Sequence, residues 1–157
     1  MPMIVDNAQI TDIDELTELR LAYLEEDNGT LSEDDREKIR MELPGYFKRH
    51  LNKSIFCYLA KEGGQIVACA FLLLVEKPMS PLFINGRTGT VLNVYTKPKY
   101  RHKGYGKMVM EKLLSDAAEK DLCVVELKST EEGYSLYKSV GFTDDVSKYH
   151  LMKWHHQ

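Results

Sequence analysis

A chain of 157 residues with 43% hydrophobic and 29% charged side chains has the size and balance of one globular domain with a single core, neither disordered nor fibrous. Its net charge of −3 excludes a general polyanion binder, which needs a large excess of Lys and Arg, so any basic site has to be local. The longest apolar run, Ile66 to Val75, is about half of what crosses a bilayer, and Met1 to Ile10 lacks a basic leader region; the expectation is a cytoplasmic protein.

Thr11 followed by Asp14 resembles a capping box, and Ile13, Leu16, Leu19 and Tyr23 continue at helical spacing, which predicts an amphipathic helix over 12–25. Ser32 with Asp35 repeats the start signal, and Ile39, Leu43, Tyr46, Phe47 and Leu51 extend a second helical stripe. Pro44 and Gly45 predict that this region is two pieces. From Ser54 the period changes: two β-rich runs around Gly63 and Gly64 form the pattern of a hairpin. Residues 77–89 read as a loop, 90–96 as a strand closed by Pro98, and Met108, Val109, Leu113, Leu114 and Ala117 as a helix to about Lys120. Leu122 to Ser129 starts apolar on both faces, as a central strand does. A short helix before Gly141 and a last strand over Tyr149–Trp154 complete the chain. The class is α/β with a mixed sheet, in the order α-α-β-β-β-α-β-α-β, with room for a short extra strand at the N-terminus, and one domain over 1–157.

Cys57, Cys69 and Cys123 are an odd set, each within an apolar stretch, and read as buried thiols in a reducing compartment rather than as a disulfide framework. No His or Asn flanks any of them to activate a nucleophile. The five histidines show no metal-ligand spacing with a third ligand nearby, and no metal is expected.

Tyr100 to Val109 place two glycines, three Lys or Arg side chains and a histidine in ten positions with no acid among them. A strand running through such a turn into a helix aims unpaired N–H groups and the positive end of the helix dipole at one spot, which suits phosphate. Arg101-x-x-Gly104-x-Gly106 is not a Walker loop, because no Gly-Lys-Ser/Thr follows. It is not the dinucleotide fingerprint either, since Val109 stands at the third glycine. ATP and NAD are therefore disfavoured as ligands.

These residues resemble the GNAT superfamily of acetyl-CoA-dependent N-acetyltransferases. Val91 to Leu114 resembles the family's central strand, pyrophosphate loop and helix; Leu122 to Thr130 resembles the following strand; Gly133 to Phe142 resembles the closing Tyr-x-x-x-Gly-Phe segment. The resemblance implies a mixed sheet flanked by helices, splayed into a V between the 91–96 and 124–129 strands, with pantetheine in the gap. It further implies that the N–H groups of Arg101, His102, Lys103, Gly104, Tyr105, Gly106 and Lys107 bind the pyrophosphate of acetyl-CoA. Backbone amides of Val94 and Thr96 would face the thioester carbonyl and pantetheine. Tyr137 matches the position of the general acid that protonates the leaving thiolate, with Tyr134 as its rival. The glutamate that some relatives carry on the central strand as general base has no counterpart here, where Thr90 stands; Glu76 and Glu126 are the nearby carboxylates.

The reaction implied is direct attack of an amine on acetyl-CoA in a ternary complex, the acceptor being a small molecule or a peptide. The rivals are a catalytically silent acyl-CoA sensor of the same fold, a nucleotide-binding domain and a transferase of longer acyl groups. Seven carboxylates between Glu25 and Glu37 would attract a cationic amine, although a solvated helix start explains them as well. Met79, Leu82, Phe83 and Ile84 in the 77–89 loop suit a pocket or a dimer contact, which leaves a homodimer open; neither nucleic acid nor membrane is expected as a partner.

Overall fold

The computed structural model describes residues 4–156. In chain order these form β1 (Ile4–Asn7), a 3-10 turn at Ile10–Asp12, α1 (Ile13–Asn28), α2 (Glu33–His50), β2 (Ile55–Glu62), β3 (Gln65–Glu76), β4 (Arg87–Thr96), a second 3-10 turn at Pro98–Tyr100, α3 (Tyr105–Glu119), β5 (Val124–Glu126) and α4 (Tyr134–Ser139). One sheet runs β1-β2-β3-β4-β5, antiparallel through β4 and parallel between β4 and β5.

The hairpin expected around the two glycines is β2–β3: Gly63 and Gly64 have φ of 61° and 80°, the paired positive values that match the twist of flanking strands. Period-2 alternation then divides the core. Phe56, Tyr58 and Ala60 face Val109, Met110, Leu113 and Ala117 of α3, while Ile55, Cys57 and Leu59 face Ile13, Leu16 and Leu19 of α1 and Phe47 of α2. Each buried Leu, Ile or Phe in these layers contributes roughly 1.5–3 kcal/mol. Burial pushes the Cys57 thiol well above its ordinary value and that of Cys69 up to about 12, so both stay protonated and inert.

The structure corrects several expectations. The capping carboxylate of the first turn is Asp12, which accepts the Gln9 N–H at 2.8 Å, rather than the Thr11 and Asp14 pair. The second helix is not split: α2 continues through Pro44. Proline there removes the bond to the carbonyl of Arg40, an exposed residue, so water can take its place while Phe47 and Leu51 hold the second half on the sheet. β4 starts at Arg87, inside the expected loop, because Arg87 and Thr88 pair with Glu76 and Val75. β5 is three residues long at the sheet edge, not a central strand, and Cys123 beside it is exposed rather than buried. Tyr149–Trp154 does not form the last strand. Residues 143–156 contain no helix or strand, for they meet no neighbouring strand to supply their hydrogen bonds. The short N-terminal strand is present as β1.

Candidate active site

The site begins with a break in β4. Between the pairs Phe71–Leu92 and Cys69–Tyr95, β3 contributes only Ala70 while β4 contributes Asn93 and Val94, which is a β-bulge. Asn93 takes φ 53°, a left-handed conformation uncommon outside glycine, and its buried side chain holds it there. Arg20 Nη1 donates to Asn93 Oδ1 at 3.2 Å, the Cys69 thiol donates to the Asn93 carbonyl at 3.4 Å, and Asn93 Nδ2 lies 3.6 Å from Cys69 Sγ. Pairing of β4 with β5 covers Thr88–Val124 to Thr90–Glu126 and stops. β5 ends there, and β4 runs on past Thr90, through the Val94 stretch, without a β5 partner.

The turn that follows spends its N–H groups unevenly. Tyr100 N–H donates to the Lys97 carbonyl and Arg101 N–H to that of Pro98, at 3.3 Å; the next backbone bond is from Met108 N–H to Gly104, at 3.1 Å. His102, Lys103, Gly104, Tyr105, Gly106 and Lys107 lie between, and among the described residues none of their N–H groups has a backbone partner. His102 and Gly104 both have positive φ, 64° and 88°, which curls the run into a concave nest of donors at the start of a 15-residue helix. Above Gly104 a Cβ would meet nothing. Lys97, Lys99, Lys103 and Lys107 lie in or just before this run of the chain, and among the described residues none is in an ion pair.

Arg101 differs from its neighbours. Its N–H closes the 3-10 turn, and its guanidinium donates to the Thr96 carbonyl at 2.8 Å and pairs with Glu26 of α1 at 2.7 Å, over the ring of Tyr95. Arg101 thus ties the turn to α1 and offers no free backbone N–H to a phosphate. Gly106 has its own reason: a Cβ there would stand 3.2 Å from Leu136 of α4, so this glycine lets α4 approach α3. The Tyr105 ring is buried against Tyr100, its hydroxyl bonded to Glu62, leaving only its N–H to the nest.

Tyr137 sits on α4, half-buried, its ring edge-on to Phe142 at 6.0 Å. Gly133 makes room for it, since a Cβ there would fall 2.8 Å from the Tyr137 ring. Burial, with the neighbouring Tyr23 phenol, pushes the Tyr137 hydroxyl up to about 12; it is protonated at every pH near neutral. Tyr134 is held elsewhere, donating to Asp144 Oδ2 at 2.7 Å.

Neither carboxylate considered as a base reaches this place. Glu76 pairs with Arg87 and Glu126 with Thr90, seven and four residues before Val94, or about 23 and 13 Å along a strand. Two residues of α1 reach this region: Arg20, on Asn93, which sequence did not single out, and Glu26, on Arg101 beside Tyr95, which sequence named only as part of the acidic run. Arg20, a cation in an otherwise apolar helical stripe, was the available signal. Three of the seven carboxylates of the acidic run are paired, Arg36 taking Glu25 and Glu33 and Arg101 taking Glu26. A cavity of about 380 Å³ opens on the α1 side of the sheet, with Asp14, Glu15, Glu18, Tyr95 and Lys97 in its wall. Among the described residues no three His, Cys, Asp or Glu side chains converge as metal ligands, and no helix is long and apolar enough to cross a membrane.

Residues 13–142 match the model of the acetyltransferase (GNAT) family. Among solved structures, the chain is similar to a predicted acetyltransferase from Clostridium acetobutylicum determined with acetyl-CoA, at 28% identity over 97% of this chain and 96% of that one, with a TM-score of 0.83. It shares the fold of a GCN5-related N-acetyltransferase from Ralstonia eutropha JMP134 (23% identity, 96% and 99% covered, TM-score 0.80). The same holds for the glucosamine-6-phosphate N-acetyltransferase of Arabidopsis thaliana (20% identity, 98% and 99% covered, TM-score 0.69). No curated protein sequence gives a significant match.

Proposed function

The chain belongs to the acetyltransferase (GNAT) family, and from that premise we propose that it moves an acetyl group from acetyl-CoA to a primary amine. The observation that carries this reading is the nest: six consecutive backbone N–H groups, 102–107, without backbone partners, at a helix start with four lysines in or just before it that make no ion pair among the described residues. It fits a pyrophosphate in donor number, charge and open space, and it follows the stretch of β4 that runs on, through its bulge, without a β5 partner. Pantetheine extends from pyrophosphate to thioester, so a cofactor held at the nest can run along the gap to Val94.

In this reading, the Val94 N–H donates to the acetyl carbonyl oxygen, which gains charge as the amine nitrogen bonds to carbon; a donor fixed by the bulge needs no reorganisation. Thr96 borders the pantetheine arm. As the C–S bond breaks, the Tyr137 hydroxyl donates a hydrogen bond to the departing sulfur. A phenol at about 12 is a weaker acid than a thiol, so Tyr137 serves by passing to sulfur a proton that the new ammonium nitrogen surrenders, and ends protonated as it began. No carboxylate is placed as a base at Val94, and the acceptor enters as the neutral amine or loses its proton to water. The carboxylates in the α1-side cavity favour a cationic approach toward Tyr95.

The test is the thermal midpoint with acetyl-CoA, coenzyme A, ATP and NAD in separate samples. At a hundred times its Kd a ligand stabilises by about 2.7 kcal/mol, roughly 5–10 °C for this size. A shift with the coenzyme A forms alone is expected; no shift would remove the nest as their site, and binding without acetylation in an amine screen would leave a silent acyl-CoA module. Gly104→Val should weaken acetyl-CoA about tenfold, because a β-branched residue pays roughly 1–2 kcal/mol in the left-handed region.

A further inference from the structure

One half-buried arginine is left without an anion. Arg36, Arg87 and Arg101 are each paired with glutamate, whereas Arg20, half-buried on α1, meets no carboxylate among the described residues. Its guanidinium makes one hydrogen bond there, from Nη1 to Asn93 Oδ1 at 3.2 Å, and stands 5.9 Å from the centre of the Tyr23 ring. A guanidinium carries five N–H donors in a planar fork, and those on Nε and Nη2 have no protein acceptor among the described residues. Asp27, two turns on along α1, is exposed and does not pair with it. Supporting Asn93 requires a donor of the right reach and no charge, so the cation and most of its fork are unused by the fold.

The neighbours of this guanidinium are donors as well. Tyr58, Tyr105 and Tyr134 each give their hydroxyl to a carboxylate, but the hydroxyls of Tyr23, Tyr46 and Tyr137 have no such partner. Among the described residues no buried side-chain polar atom goes unbonded, so these three hydroxyls open on accessible space. Burial and then Asp27 push the Tyr23 phenol up, and burial and then Cys57 push that of Tyr46 up, while in both Arg20 pulls the other way; Tyr23 in turn adds to the burial that raises Tyr137. The guanidinium thus stands among phenols from α1 and α2, one of them next to the phenol of α4. Its hydrogen-bond partner Asn93 is the residue before Val94, about 3.8 Å away between Cα atoms.

We propose that Arg20 determines acceptor specificity by receiving a carboxylate carried on the amine itself, with the Tyr23 and Tyr46 hydroxyls as further donors, so that the acceptor is an amino acid in the chemical sense. The inference rests on the acetyl-transfer reading above and names its substrate class. An amine attacking at Val94 brings whatever it carries close to Arg20, and a guanidinium fork matches a planar carboxylate with two parallel hydrogen bonds. One cation balances one negative charge; a phosphate dianion is better served by the lysine-rich nest.

The test compares acceptors that differ in that charge alone, the common amino acids against their primary amides, with acetyl-CoA and thiol release as the readout. In Arg20→Gln the ratio of kcat/KM for acid over amide should fall about 10- to 100-fold relative to wild type, the loss appearing in KM, with thermal midpoint and acetyl-CoA affinity retained. Differences in amine basicity cancel in that comparison. Arg20→Lys, which keeps the charge without the fork, should recover part of the ratio. Asn93→Gly separates recognition from support: glycine takes a positive φ unaided, and the ratio should survive there. A ratio that Arg20→Gln leaves unchanged, both acceptors losing equally, overturns the carboxylate site and leaves acetyl transfer standing. Calorimetry with coenzyme A present covers the converse, since N-acetyl amino acids should bind wild type and not Arg20→Gln. If they do while no amine is acetylated, the acetyl-transfer reading falls and the anion site stands; if no amine is acetylated and none of them binds, both fall.

Discussion

The two edges of the sheet are built on opposite plans. β1 is four residues long with exposed and half-exposed positions, and it carries Asp6, which faces Lys61 of β2 at 3.7 Å; it is short, charged and complete. β5 is shorter still, with Val124 and Glu126 exposed and Val125 turned to the core, and the bulge, the nest and Tyr137 all lie toward its side of the sheet. Chemistry has room to gather where strand pairing is interrupted by the geometry of a bulge rather than lost by fraying.

Perturbations should divide along the same line. The largest effect belongs to Tyr137→Phe, where removing the hydroxyl should cost about 100-fold or more in kcat and change acetyl-CoA affinity by less than about twofold, read by steady-state kinetics and calorimetry; an unaltered rate removes the relay. Next is Gly89→Val at the β4–β5 junction. A Cβ at that position already meets Leu72 at 2.8 Å and Leu122 at 3.0 Å, and the overpacking should cost about 1–3 kcal/mol in urea unfolding, loosening the β5 edge before the rest. A smaller effect tests the centre of the sheet. Burial raises the Asp116 carboxyl, but hydrogen bonds from Lys120 and Tyr58 outweigh it and hold the group below its ordinary 3.8. Its contribution is therefore present above the unfolded value and lost as pH falls through the folded one; Asp116→Asn should flatten the loss of stability below about pH 4. Smallest is Lys61→Ala on the β1 side. An exposed pair of this kind contributes about 0–1 kcal/mol, and acetylation should not change. A large effect there would mean that the two edges are not as different as their composition says.

Local rules were legible in the sequence wherever neighbours in the chain decide the outcome. Gly63 and Gly64 need no distant partner to make a hairpin, and Gly104 needs none to open α3. The site was harder, because its parts are brought together by register. Nothing at Asn93 announces a left-handed residue, since the bulge arises from β3 and β4 pairing out of step around Ala70. The free donors of 102–107 were readable from glycine and charge, whereas Arg101 was misjudged by one residue's worth of turn: its N–H is consumed by Pro98, a bond that exists only because the 3-10 turn forms. Leu122–Ser129 reads as central and Tyr149–Trp154 as a strand for one shared reason. Composition records the burial a segment is suited to, and here neither segment attains it.

The ion pair between Arg101 and Glu26 also has a thermodynamic corollary. It fastens the turn that precedes the nest to the far end of α1, a helix whose side chains also line the cavity beside Tyr95. Any anion that draws on Arg101 competes with Glu26, and any acceptor that shifts α1 alters the same contact. Occupancy of one region is then linked to occupancy of the other, and linkage is reciprocal. The factor by which an amine changes the Kd of coenzyme A must equal the factor by which coenzyme A changes the Kd of the amine, and a charge-neutral replacement at Glu26 should drive both toward one.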